Sequence, residues 1–141
     1  MAVSIRSLEP LSLIRNNAFA ICQMLLQKGA APGARTREGG RTTLILMARY
    51  RVFHKKIVEV LSSSVNVAGN EGRTALTFAV EGQGLFGQRR GNINIARLLL
   101  KIGANASIKD CRGRTALDYA IATNDTHKND AMIKFLQSVG Q

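Results

Sequence analysis

Several groups of residues carry chemistry by type or spacing. Gly82-x-Gly84-x-x-Gly87 has the spacing of a dinucleotide-binding turn, in which amides at a helix N-terminus surround a pyrophosphate. That chemistry needs a preceding strand and an acid about 20 residues later for the ribose. Thr74 to Val80 looks strand-like by composition but matches two other segments whose apolar spacing is helical, and Asp110 arrives too late. The motif reads instead as a flexible loop. His54 and Ser62-Ser63-Ser64 are a base and nucleophiles by type, yet no nucleophile elbow or orienting acid accompanies them. Asp118, Asp125 and Asp130 surround His127 in sequence and read as inner-helix, loop and cap residues. Cys22 and Cys111 stand far apart without a CxxC partner, so both read as reduced, partly buried thiols. No catalytic residue, cofactor or metal site is assigned, and an enzyme is not expected.

The remaining chemistry is charge. The chain of 141 residues carries 20 Lys+Arg against 9 Asp+Glu, a formal net charge of +11. Seven of those cations, Arg35, Arg37, Arg41, Arg49, Arg51, Lys55 and Lys56, fall in one segment with a single acid, Glu38. A patch of this sign attracts acidic proteins, anionic lipid or nucleic acid. Stacking aromatics are thin beside it, Tyr50 and Phe53 being the nearest, and no zinc-finger pattern is present. Hydrophobic residues make up 45%, enough for a core, with no apolar run long enough to span a membrane. Arg6, Glu9, Pro10 and Arg15 interrupt any secretory leader, so an intracellular protein, cytoplasmic or nuclear, is expected.

Elements that could position these charges appear on self-comparison. Gly40-Arg-Thr-Thr-Leu44, Gly72-Arg-Thr-Ala-Leu76 and Gly113-Arg-Thr-Ala-Leu117 are three copies of one motif, 32 and 41 residues apart. A second segment recurs as Ile21 to Ala30 and Ile95 to Ala104. In each copy of the motif Thr suits a helix N-cap, its hydroxyl oxygen accepting from first-turn amides. Leu44, Met47 and Ala48 then share one face, as do Leu76, Ala79 and Val80, and Leu117, Ala120 and Ile121. Second helices follow at Ile21 to Leu26, Ile57 to Leu61, Ile95 to Leu100 and Met132 to Leu136, with Gly103 suited to a helix C-terminus. Between the pairs lie polar, glycine-containing turns.

Gly103 to Ala120 resembles the ankyrin repeat, whose period is about 33 residues with T-P-L-H-x-A near its first helix. The resemblance runs from about Pro10 to Gly140. It implies an all-α fold, an ankyrin solenoid of stacked helix-turn-helix units with projecting hairpin-like loops. A single domain over 1–141 is expected, divided approximately into 8–35, 36–67, 68–108 and 109–141. The surplus length of the third unit falls at 83–90. Where the family has His, this chain has Ser12, Ile45, Thr77 and Asp118, and Ser62-Ser63-Ser64 replaces the glycine exit of the second unit. A looser array is expected there.

The resemblance further implies a non-enzymatic module that binds a protein, here an acidic one, on the concave side formed by loop tips and inner helices. The residues so nominated are Arg41, Arg73, Arg112 and Arg114, with Leu46, Phe78 and Tyr119 as anchors, and Arg49, Tyr50 and Glu81 at helix ends. Leu85, Phe86, Arg89 and Arg90 add an apolar and basic group in the inserted loop. The alternative is a nucleic-acid or nucleotide-ligand binder using Arg35 to Lys56. A monomer is favoured.

Overall fold

In the computed structural model, residues 20, 23–50, 53–82, 91–123 and 129–140 are described. Among them every regular element is helical. Three helix pairs follow in order: α1 (Thr43–Tyr50) with α2 (Lys55–Val60), α3 (Ala75–Glu81) with α4 (Ile93–Lys101), and α5 (Ala116–Ala122) with α6 (Asp130–Val139). Residues 23–27 are helical as well. The first helices α1, α3 and α5 pack side by side in that order, with α4 against α3 and α6 against α5. This is the expected arrangement of an inner and an outer row.

Local chemistry sets the start of each inner helix. The Thr42, Thr74 and Thr115 hydroxyls accept from the amides of Ile45 (3.3 Å), Thr77 (3.5 Å) and Asp118 (3.4 Å). Asp118 completes a capping box by accepting from the Thr115 amide at 2.8 Å. Asn92 caps α4 in the same sense, taking the amides of Asn94 and Ile95. At the end of α4 the amides of Gly103 and Ala104 return to Leu100 and Leu99, at 3.1 and 3.0 Å. That closure puts Gly103 at φ +104°, a conformation that costs a side-chain-bearing residue about 1–2 kcal/mol. Where the glycine is replaced, α2 is only six residues long and leaves through a 3₁₀ turn, Ser62–Ser64. There the Ser64 hydroxyl donates to Leu61.

The core is one layer between the two rows. Helix α3 is buried on every side from Ala75 to Val80, because α1 and α5 flank it and α4 covers it. Leu44, Ile45, Leu76, Val80, Val58 and Leu99 are fully enclosed, each contributing about 1.5–3 kcal/mol of apolar burial. Ile121 departs from the expected stripe: its equivalent Val80 is buried, but Ile121 is 54% exposed. Among the described residues no further helix pair lies against that side of α5.

Residues 83–90 lie outside the described residues, and with them Leu85, Phe86, Arg89 and Arg90. Helix α3, not a strand, precedes the glycine motif, and the Asn92 amide donates to Ala79 at 2.9 Å. Residues 79 and 92, on either side of the insertion, therefore meet between inner and outer helix.

Candidate functional site

The segments that lead into the inner helices fold back as tight loops. The amides of Gly69 and Asp110 donate to Arg73 and Arg114, at 3.0 and 2.9 Å, and Gly72 and Gly113 return to Gly69 and Asp110. Successive loops are also tied tip to tip. Asn70 donates to Gly39, and Cys111 donates to Glu71, each at 3.0 Å. Behind them, Asn66 Nδ2 donates to Gly103 (3.0 Å) and its Oδ1 accepts from the Asn105 amide (2.7 Å). These bonds make a continuous ledge along one side of the inner helices, with little freedom between neighbours.

Two depressions open on the ledge. A small one is lined by Gly39, Arg41, Gly69, Glu71, Arg73 and Phe78. The larger, about 260 Å³, is bounded chiefly by Glu71, Arg73, Glu81, Arg112, Arg114 and Tyr119. Glu71 and Arg73 belong to both.

The floor of the larger cleft is an internal network. Arg73 is only 9% exposed and forms an ion pair with Glu81. Its guanidinium lies 4.1 Å from the Phe78 ring and 4.7 Å from that of Tyr119, so one cation joins two neighbouring units through their aromatics. Its Nε is enclosed without an acceptor among the described residues. Tyr119 donates its hydroxyl to Asp110 Oδ2 at 2.5 Å and accepts from Arg114 Nη2 at 2.6 Å. Asp110 also accepts from the amides of Arg112 and Arg114, and pairs with the Arg114 side chain at 3.1 Å.

Burial opposes ionisation of Asp110, but the Tyr119 hydroxyl, the two amides and the Arg114 charge outweigh it and hold the carboxyl at about 2. Burial, reinforced by the bond to Asp110, pushes the Tyr119 phenol up to about 12. Amide and hydroxyl bonds from Thr115 likewise lower Asp118. At neutral pH the network is fixed as carboxylate, neutral phenol and guanidinium.

This placement corrects part of the expected site. Phe78 and Tyr119 are each 4% exposed and serve as internal plates for Arg73, not as open anchors. Arg73 is neutralised by Glu81, and Arg114 is tied to Asp110 and Tyr119. Arg41, Leu46 and Arg49 are half-buried, whereas Arg112 is exposed at a loop tip. Tyr50 ends α1. Glu71 and Asp110 were missed. Asp110 is signalled by its place four residues before Arg114, and Glu71 by standing just before the motif glycine, where the next copy has Arg112.

The other chemical groups do not assemble. Among the described residues no three His, Cys, Asp or Glu side chains gather as metal ligands, and Asp125 and His127 lie outside them. Cys111 is exposed, contrary to the expected partly buried thiol, because it occupies a loop tip. The basic segment is spread over several elements: Arg35 and Arg37 are exposed at the entry to the first loop, Arg41 lies in that loop, Arg49 is on α1 and Lys55 and Lys56 begin α2, while Arg51 lies outside the described residues. Among the described residues no helix is long and apolar enough to cross a membrane.

Residues 71–111 match the family model of the ankyrin repeat, which covers the second loop tip, both helices of the central pair and the approach to the third loop. No curated protein matches the chain.

Proposed function

We propose that this chain, whose residues 71–111 match the ankyrin repeat, is a non-catalytic binding module that holds a segment of a partner protein along the ledge of loop tips. Ankyrin repeats generally mediate protein–protein interactions and are typically non-catalytic. The observation that carries the reading is the division of labour between floor and rim. Arg73, Glu81, Asp110, Arg114 and Tyr119 are consumed by one another, so the floor is preorganised and changes little on binding. Glu71 and Arg112 border the same cleft, and Arg41 shares the neighbouring depression with Glu71. A rigid floor with charged rim groups suits selection of a partner by charge complementarity more than by deep apolar insertion.

The alternative, nucleic-acid binding through Arg35 to Lys56, has less support. Among the described residues its cations are spread over the first loop, the inner helix α1 and the outer helix α2, and few aromatics are available to stack on bases. Affinity capture from lysate with three forms of the chain separates the two readings. R112E and K55E change the net charge equally, one on the ledge outside the basic segment and one in the basic segment on α2. Loss of captured protein in R112E alone supports the ledge. Nuclease-sensitive capture that fails only in K55E, with a steep salt dependence, overturns it.

A further inference from the structure

Arg41, Arg73 and Arg114 occupy one position in three successive units, yet their charges are not equivalent. Arg73 is neutralised by Glu81 and Arg114 by Asp110. Both counter-charges fail for Arg41. The residue of α1 that corresponds to Glu81 is Arg49, and the loop residue that corresponds to Asp110 is Arg37. Among the described residues Arg41 has no ion-pair partner. The position before each motif glycine varies as well, being Gly39, Glu71 and Arg112. Glu71 and Arg112 are exposed and also have no ion-pair partner among the described residues. What remains uncompensated along the ledge is therefore positive at Arg41, negative at Glu71 and positive at Arg112. Arg41 and Glu71 share the walls of the small depression, and Glu71 and Arg112 share those of the larger cleft.

We propose that the ledge selects an extended protein segment carrying an acid, a base and an acid in that order, set against Arg41, Glu71 and Arg112. The inference rests on the binding reading above and names the partner that reading leaves open. It refines the acidic partner expected from the net charge. Inner helices pack about 8–10 Å apart, and an extended chain advances about 3.3 Å per residue, so consecutive charges fall about three residues apart. The order is the same read from either end, and chain direction is not specified by it. Glu71 does more than attract the central base. A run of carboxylates, or of phosphates, would have to set one negative charge against it, so Glu71 discriminates against polyanions that the basic total would otherwise attract.

The test is selection of random twelve-residue peptides displayed on phage against the whole chain, its E71R variant and its R41E/R112E variant. All are first checked by circular dichroism melting. Wild type should enrich peptides with two acids flanking a base at about three-residue intervals, and E71R should enrich uniformly acidic ones. With synthetic peptides, changing the central Lys to Asp should weaken wild-type binding about fivefold, the effect of one exposed ion pair at the upper end of its range, and should strengthen binding to E71R. Uniformly acidic peptides enriched equally by wild type and E71R, and lost by R41E/R112E, would overturn the charge order while leaving the ledge as the binding surface. Peptides that bind R41E/R112E as well as wild type, or no enrichment at all, would remove the ledge and the inference together.

Discussion

Asp110→Asn tests the network under the cleft with a change of one atom. The Asn carbonyl can still accept from the amides of Arg112 and Arg114, while its NH₂ turns a donor toward the Tyr119 hydroxyl and the Arg114 guanidinium. The cost follows from linkage. Asp110 has a folded pKa of about 2 against an ordinary value of 3.8, so its ionised form stabilises the fold by about 2 kcal/mol at pH 7. A depressed carboxylate contributes above its unfolded pKa and loses that contribution as pH falls through the folded one. Roughly half should remain at pH 3. Urea unfolding followed by far-ultraviolet circular dichroism, on wild type and D110N at both pH values, measures the difference between them. Other titrating groups cancel in that difference. A gap of about 2 kcal/mol that narrows toward pH 3 is expected. A gap below about 0.5 kcal/mol, or one independent of pH, would refute the network as a source of stability.

Glu81→Ala should cost about 3–5 kcal/mol in urea unfolding, because it leaves Arg73 buried and charged between two rings, whereas R73M/E81L should come close to wild type. Gly72→Ala and Gly113→Ala both place a methyl group at φ +76°, costing about 1–2 kcal/mol. Only at Gly72 would the new Cβ meet the next loop, 2.9 Å from the Cys111 nitrogen, so its thermal midpoint should fall further than that of G113A. Leu76→Ala should destabilise by about 2–5 kcal/mol and Leu117→Ala by less, since Leu76 is enclosed between units and Leu117 is half-buried. Equal losses in chemical denaturation would contradict the stacking order of α1, α3 and α5.

Much of this architecture is legible in local sequence because its determinants are local. The three Gly-Arg-Thr motifs mark loop tips and N-caps, and the spacing of Leu76, Ala79 and Val80 marks an inner helix. Gly103 ends the outer helix as its position implies. What escaped is the set of contacts between units. Helical periodicity finds one apolar face, but α3 is covered on all sides, so Phe78 on the supposed open face is buried too. The pairing of Arg73 with Tyr119 spans 46 residues and a junction between units, which no within-helix pattern encodes. A faint signal does exist: arginine precedes an aromatic by five residues at Arg73–Phe78 and at Arg114–Tyr119, whereas Arg41 is followed by Leu46. Ile121 failed for the opposite reason. Its position is apolar by the motif, but burial there depends on a neighbour outside its own unit.

The central claim is that partner contact falls on the loop tips. Hydrogen–deuterium exchange of the whole chain, with and without its captured partner, reads that footprint directly. Protection confined to the segments around 39–41, 69–73 and 110–114, with α4 and α6 unchanged, is the expected result. Protection concentrated at 35–37 and on α2, or along α4 and α6, would contradict it.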